Sequence, residues 1–392
     1  MTHTAGSRPL GNLGSSKLPG VGTTIFTVMS QLALEHGAIN LGQGFPDFDC
    51  DLQLQRLVTE AMARGENQYA PMAGLPELRQ AVASKIERLQ GCRYNPEHEI
   101  TITAGATQAL FTAIVALVRP GDEVIILEPA YDSYFPSIVV AGGQPIAVAL
   151  DHANGYRADW DRVLAAITPR TRLLIVNSPH NPTGSIFDQE DVRALEHIVR
   201  THGVFVLSDE VYEHIVFDGK PHHSVASSAE LASRAFLVSS FGKTFHSTGW
   251  KIGYCCAPAA LTAEFRKVHQ FNVFAVNRPM QAAIASYLQN PSPYLELAAF
   301  YQAKRDRFLA GLAATRFQPL ACPGTYFVLA DYRSICDEPD TQFARQLLIK
   351  HGVASIPLSA FYRQPFDNHV IRFCFGKREQ TLDAGIERLL RV

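Results

Sequence analysis

Within the run SSFGKTFHSTGWKIGY, Ser239 to Tyr254, two lysines stand at 243 and 251. A lysine held at the end of an apolar strand sheds its charge more easily than one in water, and its neutral amine is a nucleophile. Lys243 follows SSFG directly after the apolar AFLV and fits that use, whereas Lys251 is placed to return into the same pocket as a fixed positive charge, with the Ser240 hydroxyl nearby. Other loops carry complementary groups. After EITIT, Gly105, Ala106 and Thr107 open a helix, and small residues there let backbone N–H groups approach an anion. After EVIIL comes EPAYDSYF, where Tyr131 offers an aromatic face at a strand end. After RLLIVNS comes PHNPTG, a turn that exposes the Asn181 amide. After VFVLS comes Asp209, a carboxylate at the end of an apolar strand that needs a partner, with Tyr212 just beyond it. Taken singly, each has a plain structural reading: a strand-to-helix turn, core packing, a turn asparagine, a helix cap, a solvated lysine.

The elements that must position these groups alternate. EITIT, EVIIL, QPIAVAL, RLLIVNS and VFVLSD are short β runs separated by the helical patterns ATQALFTAIVALV, DSYFPSIVVAG, DWDRVLAAI and DQEDVRALEHIVRTHG. That rhythm predicts an α/β fold: a large domain with a mainly parallel sheet covered by helices on both faces. Residues 235–256 add two more β runs around the lysines. Ahead of the sheet, TTIFTVMSQLALEHG has helical periodicity, AINLGQGFPDFDCD reads as a loop, and LPELRQAVASKIERLQG is a helix opened by Pro76 and closed by Gly91. From about residue 292 one long helix over 292–315 is expected, followed by TYFVLAD, a helix near 340–351, VASI, VIRFCF and a last helix. The expected division is an N-terminal arm with part of a small domain (1–50), a large domain (51–291) and a small α/β C-terminal domain (292–392). Ligands of parallel sheets sit at the carboxyl ends of the strands, which is where the groups above fall.

The chain's 392 residues are too many for one compact core and fit two lobes; 47% are hydrophobic and 18% charged, an ordinary globular balance. A formal net charge of −2 argues against the broad basic face of a nucleic-acid binder. The seven cysteines form no C-x-x-C pair and read as reduced thiols of a cytoplasmic protein. The polar start MTHTAGSRPLGNLGSSKLPG reads as a mobile arm rather than a signal peptide, and no apolar run approaches bilayer-spanning length. No metal is expected, because His222-His223 has no third ligand at a recognisable spacing.

An anion cradle, a stacking aromatic, an amide, a buried carboxylate and a poised lysine at the ends of one sheet match the needs of pyridoxal 5′-phosphate. At this point the sequence resembles the class I/II aminotransferases of fold type I, from about residue 18 to the C-terminus. It is most similar to the kynurenine/glutamine–phenylpyruvate aminotransferase group and its bacterial methionine aminotransferase relatives. The resemblance is carried by NLGQGFPDF, NQYAPMAGLPELRQA, NSPHNPTG, SDEVYEH, SFGKTFHSTGWKIGY and IRFCFGKREQTL, in that order. It implies that Lys243 condenses with the cofactor's aldehyde and later moves the α-proton, that Asp209 pairs with the pyridine nitrogen, and that Asn181 and Tyr212 bond O3′. It further implies that Tyr131 stacks on the ring and that Ala106, Thr107, Ser240 and Lys251 hold the phosphate. Tyr69 and Phe274 are expected to reach the site of the neighbouring subunit of a homodimer. Arg372 is expected to clamp the substrate carboxylate, a task for its planar fork, and Gly44 to offer that carboxylate its backbone.

The chain departs from aspartate aminotransferases in having Lys251 where they carry arginine and in lacking a clear second arginine for a side-chain carboxylate; Arg278 is expected to be structural. Phe26, Tyr131 and Phe274 indicate an apolar pocket, so methionine, aromatic amino acids or glutamine are the expected donors and a 2-oxo acid the acceptor. Two alternatives share the fold: a carbon–sulfur β-lyase with the same cofactor residues, and a non-catalytic ligand sensor. The second is disfavoured by the short polar arm, which leaves no room for an appended DNA-binding domain.

Overall fold

The computed structural model describes residues 16–364 and 366–392; residues 1–15 of the expected mobile arm lie outside the described residues. Thirteen strands occur among the described residues: β1 (Ile39–Asn40), β2 (Ile100–Thr103), β3 (Glu123–Glu128), β4 (Gln144–Ala149), β5 (Thr171–Asn177), β6 (Phe205–Asp209), β7 (Ala235–Ser240), β8 (Gly253–Cys256), β9 (Gln318–Pro319), β10 (Phe327–Asp331), β11 (Val353–Ala354), β12 (Ile356–Pro357) and β13 (Val370–Cys374). Seven of them form the main sheet in the order β2-β8-β7-β6-β5-β3-β4. All its pairings are parallel except those of β8, which is antiparallel to both neighbours. β2, β3, β5, β6 and β7 therefore end on one edge, and β8 starts there.

Alternate residues of these strands enter two separate cores, as the pleat requires. Val124, Ile126, Leu173, Ile175, Leu207 and Phe236 pack under the helices Ala106–Leu117 and Ala259–Asn272. Ile125, Leu127, Leu174, Val176, Val206 and Leu237 pack on the opposite face, under helices that include Pro76–Gln90 and Gln189–His202. Both faces are covered, which is why these strands read as unbroken apolar runs. Adjacent Cys255 and Cys256 fall one in each core.

Two smaller sheets hold the remaining strands. β9, β10, β12 and β13 form an antiparallel sheet in the order β12-β13-β10-β9, and β1 pairs parallel with β11. VASI is thus not one strand: Val353–Ala354 joins β1 and Ile356–Pro357 joins β13, with the buried Ser355 between the two sheets. Asn40, expected in a loop, is in β1 and ties the segment carrying Gly44 to this region.

The helix caps follow the sequence closely. Thr24 caps Ile25–Glu35 through its side chain, and Gly91 closes Pro76–Gln90 at φ 71°. The expected helix over 292–315 is instead Ser292–Leu295 followed by Leu297–Ala313, with Glu296 at φ −86°, ψ −7° between them, so that Tyr294 and Leu297 both reach the core. Helices at Leu52–Ala63, Ala259–Asn272 and Arg278–Tyr287 were not expected. In the second of these the apolar stripe Leu261, Phe265 is completed by a buried histidine, His269, whose ring bonds Gln108 and the Met72 carbonyl. That polar residue hides the helical period.

Candidate active site

The edge where the parallel strands end opens into a cavity of ≈ 270 Å³. Lys243, Asp209, Tyr212, Asn181, Tyr131, Ser240, Lys251, Gly105, Ala106, Thr107, Gly44, Phe26 and Arg372, all singled out from sequence, line it. Asp209 ends β6, in register with Asn177 on β5 and Val238 on β7. Its carboxylate is 4% exposed and accepts a hydrogen bond from the Tyr134 hydroxyl at 2.7 Å. Burial pushes the Asp209 pKa up to about 6, against the pull of Tyr134's hydrogen bond and the Lys243 charge.

Lys243 sits just past β7 in the single turn Phe241–Thr244. Its Nζ donates to the Gly44 carbonyl at 3.0 Å and to the Tyr326 hydroxyl at 2.8 Å. Burial brings its pKa down to about 8, assisted by the cations of Arg372 and Lys251, so a useful fraction of the amine is neutral near neutrality. The Gly44 carbonyl accepts from Lys243 and from the Tyr326 hydroxyl, so the expected backbone contact to a substrate carboxylate would fall to the Gly44 N–H.

On the other side of the cavity, Gly105 (φ 76°) opens the helix Ala106–Leu117, presenting the first N–H groups of that helix. A Cβ on Gly105 would lie 3.2 Å from Lys251 Cε and 3.3 Å from its Nζ, so the lysine is laid across the helix start. Lys251 lies ahead of the strand β8 rather than in it. It closes the turn Thr248–Trp250 in the left-handed conformation, φ 55°, ψ 50°, and β8 starts two residues later at Gly253. A side chain at Gly253 would strike the Ser239 carbonyl at 2.7 Å, so the chain must complete its bend before the strand begins. For a residue with a Cβ, the left-handed conformation costs about 1–2 kcal/mol. Here it aims the ammonium at the helix start. The Thr107 and Tyr131 hydroxyls are 3.3 Å apart beside it.

Arg372, in the middle of β13, is 1% exposed. One terminal nitrogen donates to Asn181 Oδ1 at 2.6 Å and the other to the Gly42 carbonyl at 3.1 Å. The guanidinium carbon lies 3.9 Å over the Phe327 ring, with Phe26 and Phe361 at 5.4 and 4.9 Å. Its Nε is buried without a hydrogen-bond partner among the described residues. Burial lowers its pKa to about 10, which leaves it cationic at neutral pH. A buried cation on the wall of a cavity suits a carboxylate.

Tyr69 and Phe274 are not brought into this cavity. They lie elsewhere on the chain, edge to face at 5.1 Å, 77% and 50% exposed. Arg278 pairs with Glu66 at 2.6 Å. His222 bonds Glu210 at 2.8 Å.

Sequence reasoning passed over four residues here. Tyr326 and Phe327 arrive from β10 and the loop before it, and nothing local marks them as facing the main sheet. Tyr134, three residues after Tyr131, orients Asp209 through its hydroxyl. Asn177 carried the same signal as Asp209, a polar residue ending an apolar strand. Its amide donates to the Asp209 carbonyl at 2.7 Å and its Oδ1 accepts from the Asn181 N–H at 2.8 Å, fixing the Asn181 turn.

The fold and this site define a pyridoxal-phosphate enzyme of the α/β class that acts on amino acids. The aminotransferase class I and II family matches residues 36–389, and the chain belongs to that family. The chain is 51% identical over 378 residues to the methionine aminotransferase of Escherichia coli, covering 96% of this chain and 98% of that one. It is 34% identical over 412 residues to human kynurenine–oxoglutarate transaminase 1, covering 96% and 97%. Among solved structures, an E. coli protein with an identified methionine aminotransferase function superposes with a TM-score of 0.95 at 50% identity, covering 97% of this chain and all of that one. N-succinyldiaminopimelate aminotransferase from Mycobacterium tuberculosis superposes with a TM-score of 0.93 at 42% identity, covering 96% and 99%. The chain is therefore a pyridoxal 5′-phosphate-dependent aminotransferase, exchanging the amino group of an amino acid with a 2-oxo acid. The residues present fit that cofactor: a buried carboxylate, an amine of lowered pKa, and a cradle at Gly105 that a Cβ would fill. No helix among the described residues is long and apolar enough to cross a membrane.

Proposed function

We propose that the chain takes the amino group of L-methionine, an aromatic amino acid or glutamine and passes it to a 2-oxo acid, in two half-reactions at the cavity around Lys243. The observation that carries this reading is Arg372: a buried guanidinium with a free Nε, boxed by Phe26, Phe327 and Phe361, on the wall of the cavity that holds the Lys243 amine. The guanidinium takes the substrate's α-carboxylate, and the phenyl rings favour an apolar side chain beside it. The 51% identity to a methionine aminotransferase supports the same donor.

Each residue then has a task. Lys243 would hold the cofactor through its Nζ and, when free of it, would move the α-proton with that nitrogen. Asp209, oriented by Tyr134, would pair with the ring nitrogen as an anion. Asn181 and Tyr212 would bond O3′, and Tyr131 would cover the ring. The N–H groups after Gly105, the Thr107 and Ser240 hydroxyls and Lys251 hold the phosphate. When bound, the cofactor supplies the electron sink that lets the α-proton leave. Tyr69 and Phe274, exposed and away from their own cavity, complete the site of a second copy, so the working unit is a homodimer with shared sites. The cytoplasm is its compartment.

Adding methionine to the holoenzyme without a 2-oxo acid should bleach the yellow absorbance of the bound cofactor, and adding a 2-oxo acid should restore it. A band unchanged by methionine, phenylalanine and glutamine alike would sink the donor assignment.

A further inference from the structure

Tyr326 lies outside every task assigned above, yet its hydroxyl is in direct contact with the Lys243 amine at 2.8 Å. While Lys243 is an ammonium, it is the donor in this contact. Tyr326 donates its own hydrogen to the Gly44 carbonyl at 2.7 Å, so toward Lys243 its oxygen can only accept. The same Gly44 carbonyl, with two lone pairs, also accepts from Lys243 at 3.0 Å. The three groups close a triangle in which two of the three ammonium hydrogens are engaged, and the third is left over for proton transfer.

The triangle is rigid. Tyr326 is 0% exposed, edge-on to Tyr212 and Phe327 with centroids 5.2 and 4.9 Å apart, and tilted against Tyr301 at 5.5 Å. Gly376 backs its ring so closely that a Cβ there would sit 3.3 Å from Tyr326 Cγ. A Cβ on Gly44 would lie 2.8 Å from Phe327 Cζ, so only glycine lets that carbonyl reach Lys243. Burial holds the Tyr326 phenol well above its ordinary pKa, so it keeps its proton.

We propose that Tyr326 and the Gly44 carbonyl are a two-point rest for the Lys243 amine while it is free of the cofactor, making Tyr326 a positioning residue for proton transfer. The proposal depends on Lys243 being the lysine that bonds the cofactor. In the transfer, the Nζ lone pair forms the new N–H bond and the C–H electron pair stays with the substrate. The resulting ammonium has three N–H groups. Two remain on Gly44 and Tyr326, so the third, the arriving proton, stays pointed at the reacting atoms. Rotation about Cε–Nζ is blocked, and the proton handed back is the one received.

The test compares wild-type holoenzyme with Tyr326→Phe, using α-deuterated methionine in a single half-reaction. Rates are read from the cofactor absorbance, and deuterium carried into the amine form of the cofactor is read by mass spectrometry. Borohydride reduction followed by peptide mapping reports separately whether the cofactor is bonded to Lys243. The expected result is fixation at Lys243 in both proteins, a half-reaction about tenfold slower in the variant, an unchanged methionine KM, and a loss of carried deuterium. A purely structural role would leave the carried fraction alone. An unchanged rate and label in the variant, no carried deuterium in the wild type, or loss of fixation in the variant alone overturns the proposal. Failure of fixation in the wild type instead overturns the reading of Lys243 itself.

Discussion

Asp209 offers a prediction in which stability and activity move in opposite directions. In the cofactor-free protein its carboxylate is buried with one phenol and one backbone N–H for company, Tyr134 at 2.7 Å and Val211 at 3.3 Å, and burial raises its pKa from 3.8 to about 6. The folded-state value is the higher one, so between the two values the folded protein binds more protons than the unfolded chain. Stability then falls as pH rises through that window and stays low above it. At ~1.4 kcal/mol per pKa unit, holding the anion costs roughly 3 kcal/mol at pH 8, and roughly 1 kcal/mol near pH 4.5 where folded Asp209 is mostly protonated.

Asp209→Asn removes the charge and keeps the shape. The amide cannot accept from both Tyr134 and Val211, a loss of about 1 kcal/mol. The variant without cofactor should therefore be more stable than wild type by about 2 kcal/mol at pH 8 and draw level near pH 4.5. Urea midpoints at the two pH values read this directly. The holoenzyme should lose at least ~100-fold in half-reaction rate, because the cofactor's ring nitrogen loses its anion. A variant less stable than wild type by the same margin at both pH values would show that Asp209 is not a desolvated charge, and the argument for its role would fall with it.

Beneath the site, Lys85 bonds Glu213 at 2.7 Å, with both side chains buried. Burial alone would raise the Glu213 carboxyl, but the Lys85 ammonium holds it well below the ordinary range. Lys85→Met strands the carboxylate and should cost about 3 kcal/mol in urea unfolding at neutral pH, part of it recovered by adding Glu213→Gln; strictly additive effects would show the pair is uncoupled. Gly105→Ala forces a Cβ onto φ 76° and against Lys251 Cε. It should destabilise the protein by about 1–2 kcal/mol and weaken cofactor retention on dialysis, and unchanged retention would remove the glycine from the phosphate cradle.

How much of this was legible in the sequence follows from where each group comes from. The main sheet's strands are buried on both faces, so they appear as short apolar runs, and a polar residue that ends one falls at the carboxyl edge. That rule finds Asp209 and Ser240 without help, and applied evenly it would have found Asn177. Arg372 is legible differently: an arginine in the fully buried VIRFC strand contradicts its surroundings, and only a partner or ligand resolves the contradiction. What local pattern cannot show is which residue of a second sheet faces the first. Tyr326 meets Lys243 across 83 positions of chain, and Gly44 meets it across 199. Their approach is set by how β10 and the segment after β1 dock against the ends of β6 and β7, which no window of sequence contains. The groups proposed to bind the cofactor are therefore read from single loops, whereas the groups that would steer the moving lysine emerge only when both sheets are in place. Tyr326→Phe thus asks whether the second sheet does more than carry Arg372.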